Sequence, residues 1–74
     1  MKFENWLRNK RESQGYTQME VAKYLNITRE GVSKWENGKT RPSLEMLTKL
    51  FRLFNCTKEE ISELFDGIEN GLEK

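Results

Sequence analysis

Apolar residues recur along this chain at helical rather than strand spacing. Between Leu44 and Phe54 they fall at positions 44, 47, 50, 51 and 54, the three-then-four step that gives a helix one buried stripe. No segment alternates apolar and polar residues between hairpin turns, so strands are not expected. Hydroxyl residues mark the helix starts. Thr17-Gln18-Met19-Glu20 and Thr57-Lys58-Glu59-Glu60 each fit a capping box: the Thr hydroxyl accepts from the third helical N–H, and the Glu reaches back to the Thr amide. Tyr16 with Val21, and Cys56 with Ile61, are the matching hydrophobic staples. Thr28, flanked by Ile27 and Val32, and Ser43, after Pro42, are two further starts. Gly15, Asn26, Gly38 and Gly67 stand where helix ends favour a left-handed residue. The pattern predicts five helices, over residues 3–14, 17–25, 28–36, 43–54 and 57–66. It describes an all-α domain over 1–66 and a C-terminal tail, 67–74, able to extend helix five. Helix one is the least amphipathic, with Phe3, Trp6 and Leu7 followed mostly by charge.

Helices two and three are joined by about two residues and must cross steeply to stay packed. Val21 and Leu25 line one side of helix two, Ile27 plugs the turn, and Val32 and Trp35 line the inner side of helix three. Ala22 is small where the second helix presses closest, and Asn26 takes the turn position that wants positive φ. This is a helix-turn-helix, whose second helix keeps one face free for the DNA major groove. Trp35 belongs to the inner face; Trp6 and Tyr24 are expected to be partly exposed, and Phe51, Phe54, Ile61, Leu64 and Phe65 read as core continuing toward an interface.

Composition narrows the chemistry. Seventy-four residues hold one domain, which buries only about 60% of its unfolded-chain surface and has little room for a deep pocket. Eight aromatics argue against disorder in a chain that is 34% charged. There is no His, which removes Cys/His zinc sites and His-based catalysis, and a single cysteine, Cys56, permits no internal disulfide. No apolar run approaches the roughly 18 residues a membrane span needs, and no secretory signal is visible, so a cytoplasmic protein without membrane partners is expected. With no Gly-rich phosphate loop and no clustered carboxylates, neither an enzyme, a metal, a cofactor nor a small-molecule substrate is expected. The charge is divided: residues 1–42 carry nine basic and five acidic side chains, residues 43–74 four and seven. The first part suits a polyanion, the second does not.

Residues 7–65 resemble the phage-repressor (Cro/cI, XRE-type) helix-turn-helix family. The resemblance is carried by Gly-Tyr-Thr-Gln-Met-Glu-Val-Ala (15–22), Leu-Asn-Ile-Thr-Arg-Glu (25–30), Val-Ser-Lys-Trp-Glu-Asn-Gly-Lys (32–39) and Arg-Pro-Ser-Leu-Glu (41–45). It implies a compact five-helix lambda-repressor-like domain that binds operator DNA and regulates transcription, repression being the leading form. The chain departs from the pattern at Asn26, where Gly is usual, at Lys10, where an apolar residue is frequent, and at Gly31 inside the reading helix.

Helical geometry together with this resemblance assigns roles. Arg29, Glu30, Ser33 and Lys34 form the exposed face of helix three and are the expected base readers: Arg29 and Lys34 donate to guanine, Glu30 accepts from cytosine, and Ser33 touches a base or a phosphate. Glu30 has the alternative of pairing with Lys34 four residues on. Gln18, Thr28, Asn37, Lys39, Thr40 and Arg41 are expected on phosphates, with a cap alone for Thr28 and a plain solvated loop for 37–41 as the alternatives. The resemblance also implies an ion pair between Arg11 and Glu36, and a homodimer on an inverted repeat with half-sites about 34 Å apart. Ile61, Leu64, Phe65, Ile68 and Leu72 form the expected dimer stripe, unless they fold onto their own core. Two other readings stay open: an antitoxin that regulates its own operon, and a protein-interaction module on the same scaffold.

Overall fold

Four hydroxyl side chains start four of the five helices. In the computed structural model, which describes the backbone of residues 2–72 and the side chains of residues 2–66, the helices are α1 (Phe3–Ser13), α2 (Gln18–Leu25), α3 (Arg29–Glu36), α4 (Leu44–Leu53) and α5 (Lys58–Leu72). No strand occurs among the described residues. Thr17, Thr28, Ser43 and Thr57 accept from the backbone N–H of Glu20, Gly31, Met46 and Glu60 at 3.1–3.2 Å. Thr17 N–H donates back to Glu20 at 2.8 Å, which completes the first capping box.

The helix ends are closed by one repeated device. Gly15, Asn26, Gly38 and Asn55 have φ of 79°, 60°, 71° and 52°. Around each, two backbone N–H groups turn back onto helix carbonyls: Asn26 to Lys23 and Ile27 to Ala22 after α2, Gly38 to Trp35 and Lys39 to Lys34 after α3. Asn55 is a stop the sequence reading passed over, hidden between the stripe of α4 and the next capping box. Gly67, expected to end helix five, does not: α5 runs on to Leu72. A helical Gly costs about 1 kcal/mol relative to Ala, which lowers stability without forcing a break.

The core joins all five helices. Phe3, Trp6 and Leu7 of α1 meet Val21, Ala22 and Leu25 of α2, Val32 and Trp35 of α3, Leu47, Leu50 and Phe54 of the α4 region, and Leu64 of α5. Trp6 was expected at the surface but is 7% exposed, ringed by Phe3, Phe51 and Phe54 at centroid distances of 5.8, 5.9 and 6.0 Å. Leu44 is the opposite case. It belongs to the predicted stripe yet is 71% exposed, because the first turn of α4 projects past the core that Leu47 begins to cover. Tyr24 is half-exposed as expected. Two polar ties close the bundle: Gln14 Nε2 donates to the Phe54 carbonyl at 2.8 Å, and Lys10, the departure noted in helix one, pairs with Glu60 of α5.

Candidate nucleic-acid interface

Helices α2 and α3 form a tight unit because Ala22 is fully buried at their crossing and Asn26 supplies the left-handed turn. Val32 and Trp35 point inward, which turns the opposite side of α3 to solvent. Arg29, Glu30 and Lys34 lie exposed on that side, and Ser33 is half-buried at its margin. Glu30 and Lys34 do not pair with one another; among the described residues neither has an ion-pair partner. Both charged ends are therefore available to something outside the chain.

The residues expected on phosphates surround this face. Thr28 uses a lone pair of its hydroxyl to cap α3, which leaves its O–H free to donate. Lys39, Thr40 and Arg41 are exposed in the segment after α3. Asn37 turns one amide N–H back onto the Ser33 carbonyl at 2.9 Å, so its side chain serves first as part of the helix end. Gln18 is half-buried and engaged on both sides of its amide: Nε2 donates to Glu36 at 3.1 Å, and the oxygen accepts from Arg29 at 3.3 Å. One N–H of Gln18 remains for an external acceptor.

Beneath the unit lies a buried charge. Glu36, 3% exposed in the last turn of α3, receives Arg11 in a two-point contact, Nε at 2.6 Å and Nη2 at 3.0 Å. This is the expected Arg11–Glu36 pair. Arg11 also donates to the Tyr16 carbonyl at 2.9 Å. Sequence reasoning missed Arg8, which donates to the Glu36 carbonyl at 3.2 Å and stands 3.6 Å from its carboxylate. The signal was its position three residues before Arg11 on one helix face. Burial pushes the Glu36 carboxyl up, but the Arg11 guanidinium, the Gln18 amide and the Arg8 charge more than offset this and hold it below the usual carboxylate range. The same contact raises the pKa of Arg11 against the effect of its own burial.

Gly31 has no packing reason to be glycine. A Cβ there would meet Ile27 Cδ1 at 3.5 Å and Thr28 Oγ1 at 3.7 Å, ordinary contact distances. Gly31→Ala is therefore expected to stabilise the fold by about 0.5–1 kcal/mol, measured as a shift of the urea midpoint at unchanged slope.

The expected dimer stripe divides. Leu64 is 1% exposed and packed in its own core, so it is not available to a second copy. That corrects its assignment, and the reason is the close packing of α5 on α1. Ile61 and Phe65 are half-buried, with Phe65 set edge-on to Phe51 at 6.2 Å. Ile68 and Leu72 fall outside the residues whose side chains are described.

Comparison with known proteins agrees with this geometry. A helix-turn-helix family model matches residues 7–61. The chain is similar to the SPbeta prophage-derived HTH-type transcriptional regulator YonR of Bacillus subtilis, 40% identical over 57 residues, covering 77% of this chain and 53% of that protein. It is similar to the HTH-type transcriptional activator BcrR of Enterococcus faecalis, 36% identical over 69 residues, 93% of this chain and 32% of that one. A putative HTH-type transcriptional regulatory protein of Saccharolobus islandicus is 40% identical over 55 residues, 73% and 18% of the two chains. The chain thus spans about half the length of the first of these relatives and a third or less of the others. No solved structure matches it significantly.

Proposed function

The chain belongs to the helix-turn-helix family, and from that membership we propose that it regulates transcription by binding double-stranded operator DNA as a homodimer, with α3 in the major groove. The observation that carries this reading is the outer face of α3, where Arg29, Glu30 and Lys34 project from a helix anchored underneath and spend no charge on one another. Arg29 and Lys34 donate to guanine O6 and N7, Glu30 accepts from cytosine N4, and Ser33 reaches a neighbouring base or phosphate. Gln18, Thr28, Asn37, Lys39, Thr40 and Arg41 hold the sugar-phosphate backbone on either side. Two copies meet through Ile61 and Phe65 of α5 and bind an inverted repeat with half-sites about 34 Å apart. Bound across a promoter in the cytoplasm, the dimer excludes polymerase and represses.

Selection of bound sequences from a random DNA pool tests this reading. A palindrome with that spacing supports it, and recovery of no preferred sequence overturns it. Sedimentation showing only monomer at tens of micromolar, with and without the selected DNA, removes the dimer. The similarity to an activator over 93% of this chain favours one second reading, contact with polymerase from an adjacent site. A promoter reporter that rises rather than falls with the protein decides for it.

Lys39→Ala separates phosphate from base contacts. It is expected to weaken operator and random DNA by the same factor and to reduce the slope of log affinity against log salt by about 1. Titrations at four salt concentrations measure both.

A further inference from the structure

Arg29 does not stand free on the outer face of α3. Its Nη1 donates to Gln18 Oε1 at 3.3 Å, Gln18 Nε2 donates to Glu36 Oε1 at 3.1 Å, and Glu36 is gripped by Arg11 at 2.6 and 3.0 Å. The four side chains form an unbroken series of donors and acceptors from α1, through the last turn of α3 and the first turn of α2, to the first residue of α3. Chemistry fixes its direction. A guanidinium only donates and a carboxylate only accepts, so Gln18 must turn its NH2 to Glu36 and its oxygen to Arg29. The flipped amide would set oxygen against carboxylate and NH2 against guanidinium.

We infer that Glu36 is a positioning residue for base reading: through Gln18 it holds the Arg29 guanidinium in one orientation before DNA arrives. The inference rests on the proposed reading of Arg29 as a base contact. Glu36 is almost fully buried and held from two sides, so the inner end of the series is rigid. Arg29 is exposed, and an unrestrained arginine would have to be ordered on binding. Restraint beforehand lowers that cost only at the base pair Arg29 contacts, so it acts on sequence preference rather than on general affinity.

The test uses the full chain. Sequence selection defines the preferred site, and Arg29→Ala identifies the base pair whose preference that side chain supplies. Q18A and E36Q, each checked for helicity and melting, are then titrated against the site and against versions with that one pair exchanged. Both are expected to lose about 3- to 10-fold discrimination at that pair, the scale of ordering one rotamer-rich side chain, with preferences elsewhere kept. The swap combining Q18E with E36Q rebuilds the same order of donors and acceptors. It is expected to restore the discrimination while lowering overall affinity, since it moves a carboxylate toward the phosphates. If E36Q does not fold, Q18A decides, because it removes the middle link alone. Unchanged discrimination in folded Q18A overturns the inference and leaves DNA reading intact. A wild-type chain without base preference, or one whose preference ignores Arg29→Ala, overturns both.

Discussion

Replacing Glu36 by alanine is expected to destabilise the fold by about 3 kcal/mol, the low end of what removing one partner of a buried pair costs. The low end applies because Arg11 keeps its bond to the Tyr16 carbonyl and Arg8 is half-exposed. A domain of this size holds about 4–11 kcal/mol in all, so this one change removes a large share. At about 4–8 °C per kcal/mol, the melting temperature should fall by roughly 12–24 °C in calorimetry. The effect depends on pH in a definite direction. The native carboxyl ionises below its unfolded value, so its contribution is complete above the ordinary carboxylate value, about 4.3. It disappears as pH falls through the lowered native value. Wild type and Glu36→Ala should therefore differ most near neutrality and converge in acid. A difference that stays constant from pH 7 to pH 3 would show that the ionised pair contributes nothing.

Arg29→Ala is expected to remove about 1–3 kcal/mol of discrimination at one base pair, roughly 5- to 150-fold, with every other position of the site keeping its preference. Binding to random duplex should drop only by the loss of one cation. The distinction from Lys39→Ala lies in where the loss falls, and competition titrations against singly exchanged operators show it. Equal losses on operator and random DNA would reduce Arg29 to a phosphate contact. Stability should hardly change, since Arg29 makes one exposed hydrogen bond and has no ion-pair partner among the described residues.

What the sequence made legible was mostly local. Thr17, Thr28, Ser43 and Thr57 announce their helices because a hydroxyl competes for the N–H three residues on, whatever lies around it. The face of α3 followed from Val32 and Trp35, which fix which side is inward. Trp6 and Leu44 were misjudged because burial depends on what lies across from a residue. Trp6 is enclosed by rings from distant positions, while Leu44 keeps the stripe's spacing but lies beyond the core's edge. Leu64 reads as interface for the same reason: a stripe does not say whether its partner is the same chain. The partners of Gln18 are 18 and 11 residues away, and no spacing rule on one helix could find them. Arg11 and Glu36, 25 residues apart, were legible only through family resemblance.

The way α3 ends also bears on how the molecule ages. Asn followed by Gly is prone to deamidation, because the unhindered glycine nitrogen can attack the side-chain carbonyl carbon and expel ammonia. Here the Gly38 nitrogen is occupied by the Trp35 carbonyl at 3.2 Å, and the Asn37 amide is tethered to Ser33 at 2.9 Å. Ring closure requires both tethers to open at once, which happens only when the last turn frays. Each such event exposes a bond whose rearrangement would install a carboxylate two residues before Lys39. The chemical lifetime of the basic segment is thereby set by how seldom one helix end comes undone.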